Sequence, residues 1–276
     1  MRPELQKKID FAIKLLQAYD NPDNPVEIAY SGGKDSDVIL QLAKEAGINF
    51  RAIYKNTTID PPGTIAHVEA MGVEIRRPEK TFLQLVEEKG LPGGSRRFCC
   101  DYLKEYKILD KAVVGIRKDE SQKRKERYKE PSACRIYGKN DHVEQILPIL
   151  DWTNEDVAEF IADRGIKCAP RYYDAQGKFH QECRLGCIGC SLKSRRLRQK
   201  DFKQYPKMLL QIIKRLRKYR ATHPDSSCLE KFQDEYEQVY FDLYCGYWKK
   251  YKYKTGLFGK PDFKAFLEKQ FGISLG

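Results

Sequence analysis

The sequence predicts an α/β protein built on a doubly wound parallel sheet, continued by a basic, mainly helical C-terminal region. Three observations predict it. Short apolar runs suited to strands alternate with amphipathic helical stripes from about residue 26 to residue 165, the pattern of successive strand–helix–strand units. A glycine turn, Ser31-Gly32-Gly33-Lys34-Asp35-Ser36, joins the first strand to its helix. Beyond Cys190 the alternation gives way to cationic helices and an aromatic-rich stretch from Tyr236 to Tyr253. The expected organisation is one α/β domain over residues 1–190 and a basic helical region over residues 191–276.

Each element has a local cause. Leu5, Ile9, Ile13 and Leu16 recur at helical spacing until Asn21-Pro22-Asp23-Asn24-Pro25 stops the helix. Val26–Tyr30 reads as the first strand, and Val38, Ile39 and Leu42 begin the stripe of a helix that ends at Ala46-Gly47. Phe50–Tyr54 is a second strand with a polar end, Asn56-Thr57-Thr58-Ile59-Asp60, before two prolines. A helix over 64–71, a strand over 73–75 and a helix over 81–89 follow. The glycine- and arginine-rich loop 91–98 delivers Cys99-Cys100 to a helix expected to continue over 101–112, and 113–117 is a strand ending in Arg117. Residues 118–124 are too charged for a core and suit an exposed helix, and 128–144, with Cys134 and His142, reads as irregular. Ile146–Leu150 is an edge strand because of Pro148. Thr153 and Asp156 cap a last helix, stapled by Trp152 and Val157 and ending near Arg164-Gly165.

The glycine turn is where the chemistry concentrates. A strand-to-helix turn gathers backbone N–H groups and the positive end of a helix dipole around one point, which suits a phosphate. Gly32 and Gly33 permit the backbone path, Ser31 and Ser36 add hydroxyls, Lys34 adds a charge, and Asp35 can cap the helix or hold Mg2+. The spacing is not that of a Walker A loop. Thr57, Thr58 and Asp60 end the neighbouring strand, at the sheet edge where ligands bind in doubly wound folds, and Arg117 ends another. For Asp60, a plain turn before two prolines is an equal reading.

A formal net charge of +12 and a pI near 9.1 point to a polyanionic partner or to nucleotides. Arg195, Arg196, Arg198, Lys200 and Lys203 open a cationic run that continues to Arg220, with Tyr205 and Tyr219 interleaved as a nucleic-acid groove would use them. A solvated helix face with Leu209, Ile212, Ile213 and Leu216 turned inward is the competing account. No apolar run is long enough to cross a bilayer, and the charged first helix leaves no signal core, so a cytoplasmic location is expected. In that compartment nine cysteines are ligands or packing residues sooner than disulfides. Cys187-Ile188-Gly189-Cys190 is a pair on a glycine turn that can grip one metal, and Cys99-Cys100 is a second pair.

Ser-Gly-Gly-Lys-Asp-Ser resembles the pyrophosphate loop of the ATP-pyrophosphatase superfamily, whose members cleave ATP between the α and β phosphates. The two cysteine pairs resemble the 4Fe-4S site of assimilatory adenylyl-sulfate reductases. Val114-Gly115-Ile116-Arg117-Lys118-Asp119-Glu120-Ser121 with Arg124, then Leu147-Pro148-Ile149-Leu150-Asp151-Trp152-Thr153, are similar in order to the phosphoadenylyl-sulfate (PAPS) reductase family. The resemblance covers about residues 26–198. It implies the adenine-nucleotide α-hydrolase-like fold, ATP with Mg2+ at Ser31–Ser36 with Thr57, Thr58, Asp60, Arg117 and Arg124, catalytic roles for Lys34, Asp35 and Arg117, and a 4Fe-4S cluster on Cys99, Cys100, Cys187 and Cys190. Zinc suits the same four thiolates, and Cys134 and Cys183 are substitute ligands, with Cys168, Cys228 and Cys245 left as packing residues or isolated thiols.

The sequence departs from the reductases of this family in two places. Its phosphate loop is the intact form of the ATP users, and the reductases' Glu-Cys-Gly-Leu/Ile-His motif is not found. The expectation is therefore an ATP-dependent relative that makes AMP and pyrophosphate in sulfur transfer to, or modification of, nucleic acid, with a sulfur-donor protein as a further partner. A reductase of adenylyl sulfate or PAPS, and a non-catalytic nucleotide-binding regulatory module, are the alternatives.

Overall fold

The computed structural model describes residues 1–94, 96–137, 141–226, 230–246 and 261–276. Cys228, residues 247–253 of the aromatic stretch, residues 138–140 and Ser95 lie outside the described residues. Two compact units emerge, one of residues 1–78 and 100–186, the other of residues 79–99 and 187–276.

The first unit is the expected sheet. Among its described residues six strands run in the order β3-β2-β1-β4-β6-β5: β1 Val26–Tyr30, β2 Phe50–Lys55, β3 Glu74–Arg76, β4 Lys111–Val113, β5 Ser132–Tyr137 and β6 Asp141–Ile146. All neighbours are parallel except β5, which pairs antiparallel with β6 at the edge. From β1 the chain winds outward to β2 and β3, then returns to β4 on the other side. The β1–β4 border is thus the topological switch point, the place where an open parallel sheet leaves a crevice at its carboxyl edge.

Helix α1 (Pro3–Ala18), α2 (Lys34–Ala46) and α7 (Asn154–Asp163) cover the pleat of β1 that carries Val26 and Ile28. Leu5, Ile9 and Leu16 of α1 meet Val38, Ile39 and Leu42 of α2, and Val157 and Phe160 of α7 complete the layer with Trp152. The Thr153 cap is a full capping box with Asp156, as its spacing predicted. Gly47 takes the left-handed conformation (φ 66°) that ends α2. Helix α3 (Thr64–Ala70) follows β2.

Five stretches differ from the sequence expectation. The helix carrying Cys99-Cys100, α5, spans Phe98–Leu103 and stops well short of residue 112, and β4 occupies 111–113 in place of 113–117. Residues 118–120 form a 3-10 turn before the short helix α6 (Gln122–Arg127). The segment taken as irregular is the β5–β6 hairpin, and 147–150 turn where an edge strand was expected. Ile136 is exposed on the outer side of the hairpin while Gln145 is buried on the inner side, so apolar alternation did not reveal it.

The second unit is helical. Helix α4 (Phe82–Lys89), far upstream in sequence, packs against α9 (Pro206–Thr222), beside α8 (Arg195–Gln204), α10 (Glu235–Tyr240) with the π-helical turn Phe241–Cys245, and α11 (Phe263–Phe271). Arg215 and Lys218 of α9 reach Glu87 of α4 at 2.5 and 3.4 Å. No described helix is long and apolar enough to cross a membrane.

Asp156 ties α1 to α7. Its carboxylate receives Lys8 at 2.5 Å and Arg2 at 2.8 Å as well as the Thr153 N–H. Burial pushes its pKa up, but the Lys8 hydrogen bond, the cap and both charges outweigh that and hold it below the ordinary carboxylate value. A depressed folded-state pKa stabilises above the unfolded value of 3.8 and is lost as pH falls through the folded value. Asp156→Asn is expected to cost about 1 kcal/mol at pH 7, and urea unfolding of both proteins should show the gap closing below pH ~4.

Candidate active site at the β1–β4 switch point

The phosphate loop is folded as the residue types require. Gly32 sits at φ 75°, a left-handed position closed to most side chains, and Gly33 caps α2 through its backbone. The Gly33 carbonyl accepts from the Ser36 and Asp37 N–H groups at 2.8 and 3.0 Å and from the Ser36 hydroxyl at 2.6 Å. Ser31 Oγ accepts from the Gly33 N–H at 3.4 Å. Both serine hydroxyls are therefore engaged in shaping the loop. Asp35 is not the cap that one reading gave it, because position Gly33 already closes the helix.

A buried cluster underpins the loop. The Tyr30 hydroxyl donates to Asp37 Oδ1, and His67 Nε2 lies 2.9 Å from both atoms. Asp37 is fully buried, and burial, together with the Asp37 charge, pushes the Tyr30 and Cys168 pKa values up. Cys168 belongs to the core, as a packing cysteine would. The cluster joins β1, α2 and α3 beneath the glycine turn.

Above the loop lies a cleft of about 300 Å³ lined by residues of three separate segments. Lys34 comes from the loop, Glu120 and Arg124 from the segment after β4, and Arg184 from the segment that follows the 3-10 turn Pro170–Tyr172. Tyr172 fastens the third segment to the first, since its hydroxyl accepts from the Lys34 and Leu185 N–H groups, both at 3.2 Å. Lys34 is 3% exposed, and burial lowers its pKa against the opposing pull of Asp35, 3.3 Å away. Arg124 is lowered by burial and by the neighbouring Arg184 charge. Arg124 and Arg184 both engage Glu120, the latter through its carbonyl at 2.9 Å. Cations crowded closely enough to depress one another leave a site that favours an anion.

Arg117 stands apart from the part expected of it. It is 1% exposed, and its guanidinium donates to Asp35 Oδ1 at 2.7 Å, the Trp152 carbonyl at 3.3 Å and Asn154 Oδ1 at 2.9 Å. It holds Asp35 and does not line the cleft. Gly115 allows the close approach, because a Cβ there would meet the Asp35 carbonyl at 3.1 Å. Thr57, Thr58 and Asp60 also lie elsewhere, in a turn of their own. Asp60 Oδ2 accepts from the Tyr54 and Thr57 hydroxyls at 2.5 and 2.6 Å, and Thr58 sits at φ 61° with its N–H on Asn56 Oδ1.

The cysteine pairs are half-buried: Cys99 and Cys100 open α5, and Cys187 and Cys190 flank the turn at Gly189 (φ 65°). Four thiols are the right donors for a soft metal centre. Among the described residues, however, no group of three or more His, Cys, Asp or Glu side chains is drawn together as a ligand set. Cys183 lies against the core of the first unit, and Cys134 Sγ is 3.7 Å from His142 Nδ1 on the exposed hairpin.

The cationic run is only partly a surface. Arg198 is buried and pairs with Asp242 while donating to the Gly189 carbonyl at 3.2 Å. Arg195 lies half-buried with its guanidinium against Gly246. Arg217 pairs with Glu235, and Arg220 donates to the Phe232 and Gln233 carbonyls. Arg196, Lys200 and Lys203 stay exposed on α8. Arg198 thus leaves the set offered to nucleic acid, because the second unit uses it internally.

Fold and cleft together define a nucleotide-site α/β architecture. Residues 25–193, more than half of the chain, match the phosphoadenosine phosphosulfate reductase domain, and the chain belongs to that family. An uncharacterized protein of Methanocaldococcus jannaschii is 26% identical over 230 residues, covering 78% of this chain and 53% of the relative. Sulfate adenylyltransferase subunit 2 of Halorhodospira halophila is 28% identical over 196 residues, covering 56% of this chain and 61% of the relative. The chain spans about half the length of the first curated relatives it matches. Among solved structures, the U34-tRNA thiolase NcsA of Methanococcus maripaludis with its [4Fe-4S] cluster aligns at 17% identity over 80% of this chain and 82% of that one, with a TM-score of 0.40.

Arg184 and Tyr172 escaped the sequence reading. Arg184 stood next to a cysteine motif that drew attention to metal binding, and nothing local marks Tyr172 as the bridge between two distant loops. Arg198→Ala is expected to lose about 2 kcal/mol by orphaning Asp242, and Arg196→Ala to change stability little. Thermal unfolding of the two variants measures the difference.

Proposed function

We propose that the chain is an ATP-dependent enzyme that cleaves ATP to AMP and pyrophosphate, with the phosphates held in the cleft between the phosphate loop and Arg184. One observation carries this reading: Lys34, Arg124 and Arg184, from three segments, face a single cleft beside an intact Ser-Gly-Gly-Lys-Asp-Ser turn. In the proposed reaction the acceptor oxygen attacks the α-phosphate and the bond to the bridging oxygen breaks, leaving pyrophosphate. Lys34, Arg124 and Arg184 neutralise the charge that grows on that leaving group, in a site whose cations are positioned beforehand. Arg117 acts through Asp35, whose carboxylate it keeps turned toward Lys34. Mg2+ enters with ATP as part of the substrate.

Membership of the family supports a role in sulfur chemistry, and the adenylated acceptor is then attacked by a sulfur nucleophile, which forms the bond to the acceptor as AMP leaves. The acceptor in this reading is a nucleic acid, met by the exposed Arg196, Lys200 and Lys203, with a sulfur-donor protein as the further partner. Incubation of the whole protein with Mg-ATP, acceptor and sulfide as sulfur donor should release AMP and pyrophosphate in equal amounts, and Arg184→Ala should slow pyrophosphate release at least about tenfold. Release of sulfite from adenylyl sulfate or PAPS would establish the reductase alternative instead. Binding of ATP without turnover on any acceptor would leave a regulatory module.

A 4Fe-4S cluster on Cys99, Cys100, Cys187 and Cys190 belongs to the same proposal, with zinc as the alternative occupant. Bound there, it would give structural support or a site for sulfur, and no step above depends on it. Anaerobically purified protein should contain about four iron and four sulfide per chain and absorb broadly near ~400 nm, both lost in Cys187→Ala. One zinc with no iron or sulfide would replace the cluster by a structural metal.

A further inference from the structure

The turn that carries Cys187 and Cys190 is held by one face of one helix. The Cys190 N–H donates to the Cys187 carbonyl at 3.4 Å, the Lys193 N–H donates to the Cys190 carbonyl at 2.9 Å, and Ser194 then caps α8. Two turns and a cap reverse the chain, so α8 lies back against Gly189. Arg198, Asp201 and Phe202 stand at i, i+3 and i+4, the spacing of a single helix face, and all three are buried.

All three meet Gly189. Asp201 Oδ2 accepts from the Gly189 N–H at 3.0 Å, and Arg198 Nε donates to the Gly189 carbonyl at 3.2 Å. The Phe202 ring occupies the place where a Cβ on Gly189 would stand, at a left-handed φ of 65° that glycine adopts without strain. Behind this grip, Lys193 Nζ lies 2.7 Å from Asp201 Oδ2, and Arg198 pairs with Asp242. A glycine held at its N–H, its carbonyl and its Cα has little freedom left. Cys187 and Cys190, two residues before it and one after, share that constraint through rigid peptide planes. Burying a carboxylate and a guanidinium is costly, and their convergence on one backbone unit fixes a conformation. Outer partners that orient ligands beforehand raise the affinity of a metal site.

We propose that Arg198, Asp201 and Phe202 are positioning residues of a metal centre, which fix the Cys187–Cys190 turn in one conformation before any metal binds. The proposal rests on the reading that Cys187 and Cys190 are ligands of that centre. The metal then meets a turn already made.

Release of bound metal from anaerobically purified protein to excess chelator, measured as iron or zinc left on the protein with time, tests it. Asp201→Ala should lose its metal at least about tenfold faster than the native protein. Asp201→Asn, which keeps an oxygen for the Gly189 N–H, should stay within about threefold of native. Arg217→Ala, which breaks an ion pair elsewhere in the same unit, should release at the native rate. Acceleration of equal size in Arg217→Ala overturns the proposal. If Asp201→Ala does not fold, hydrogen exchange in the metal-stripped native chain decides. There the Gly189 amide should exchange at least about a hundredfold more slowly than an open loop amide, and exchange at the loop rate overturns the preformed turn. Native protein that holds neither iron nor zinc removes the ligand reading itself, whereas equal release from native protein and a folded Asp201→Ala removes only the positioning role.

Discussion

The site depends on one ion pair. Arg117, at the end of the extended segment after β4, is buried against the sheet and clamps Asp35 in the first turn of α2 at 2.7 Å. That contact draws the two chain segments on either side of the switch point together, and it needs Gly115, where any side chain would press on the Asp35 carbonyl. With Asp35 so held, Lys34 is fixed between its carboxylate and the Tyr172 ring, 5.7 Å from the ring centre. A buried pair of this kind contributes little net stability on its own, since desolvation offsets most of the attraction. Its consequence is geometric: it sets where the lysine can be.

The remaining cations follow from that placement. Tyr172 accepts from backbone groups of two loops with one oxygen, and so brings Arg184 over the cleft. Arg124 enters from α6, anchored by Glu120. Three positively charged side chains held near one another without an equal number of carboxylates form an arrangement that an anion relieves, and the Lys34 and Arg124 pKa values are lowered chiefly by burial and further by the neighbouring cations. The Tyr30–Asp37–His67 cluster beneath the loop keeps the floor rigid from inside.

Much of this was legible in the sequence, for identifiable reasons. The β1–loop–α2 unit was readable because glycine, helical periodicity and the Ala46-Gly47 stop all act locally, and the Thr153 capping box for the same reason. The β5–β6 hairpin was not, because it is an edge where Ile136 points outward and Gln145 inward, so the alternation does not mark a buried face. Arg117 was singled out as a strand-end arginine, but whether such a residue faces ligand or protein depends on Asp35 and Asn154, far away in the chain. Arg198 shows the same limit: a run of cations gives no sign of which one meets Asp242 from another helix. The packing of α4 with α9 is likewise a contact between remote segments that periodicity cannot pair.

The central claim is that the switch-point cleft is a polyphosphate site organised around Lys34. Calorimetry with inorganic pyrophosphate tests it most directly, because neither base, acceptor nor metal cluster enters the measurement. The account predicts one pyrophosphate per chain, bound about tenfold more weakly by a Lys34→Ala variant of unchanged thermal midpoint. Native protein that binds no pyrophosphate, or a folded Lys34→Ala that binds it as tightly as the native chain, would contradict it.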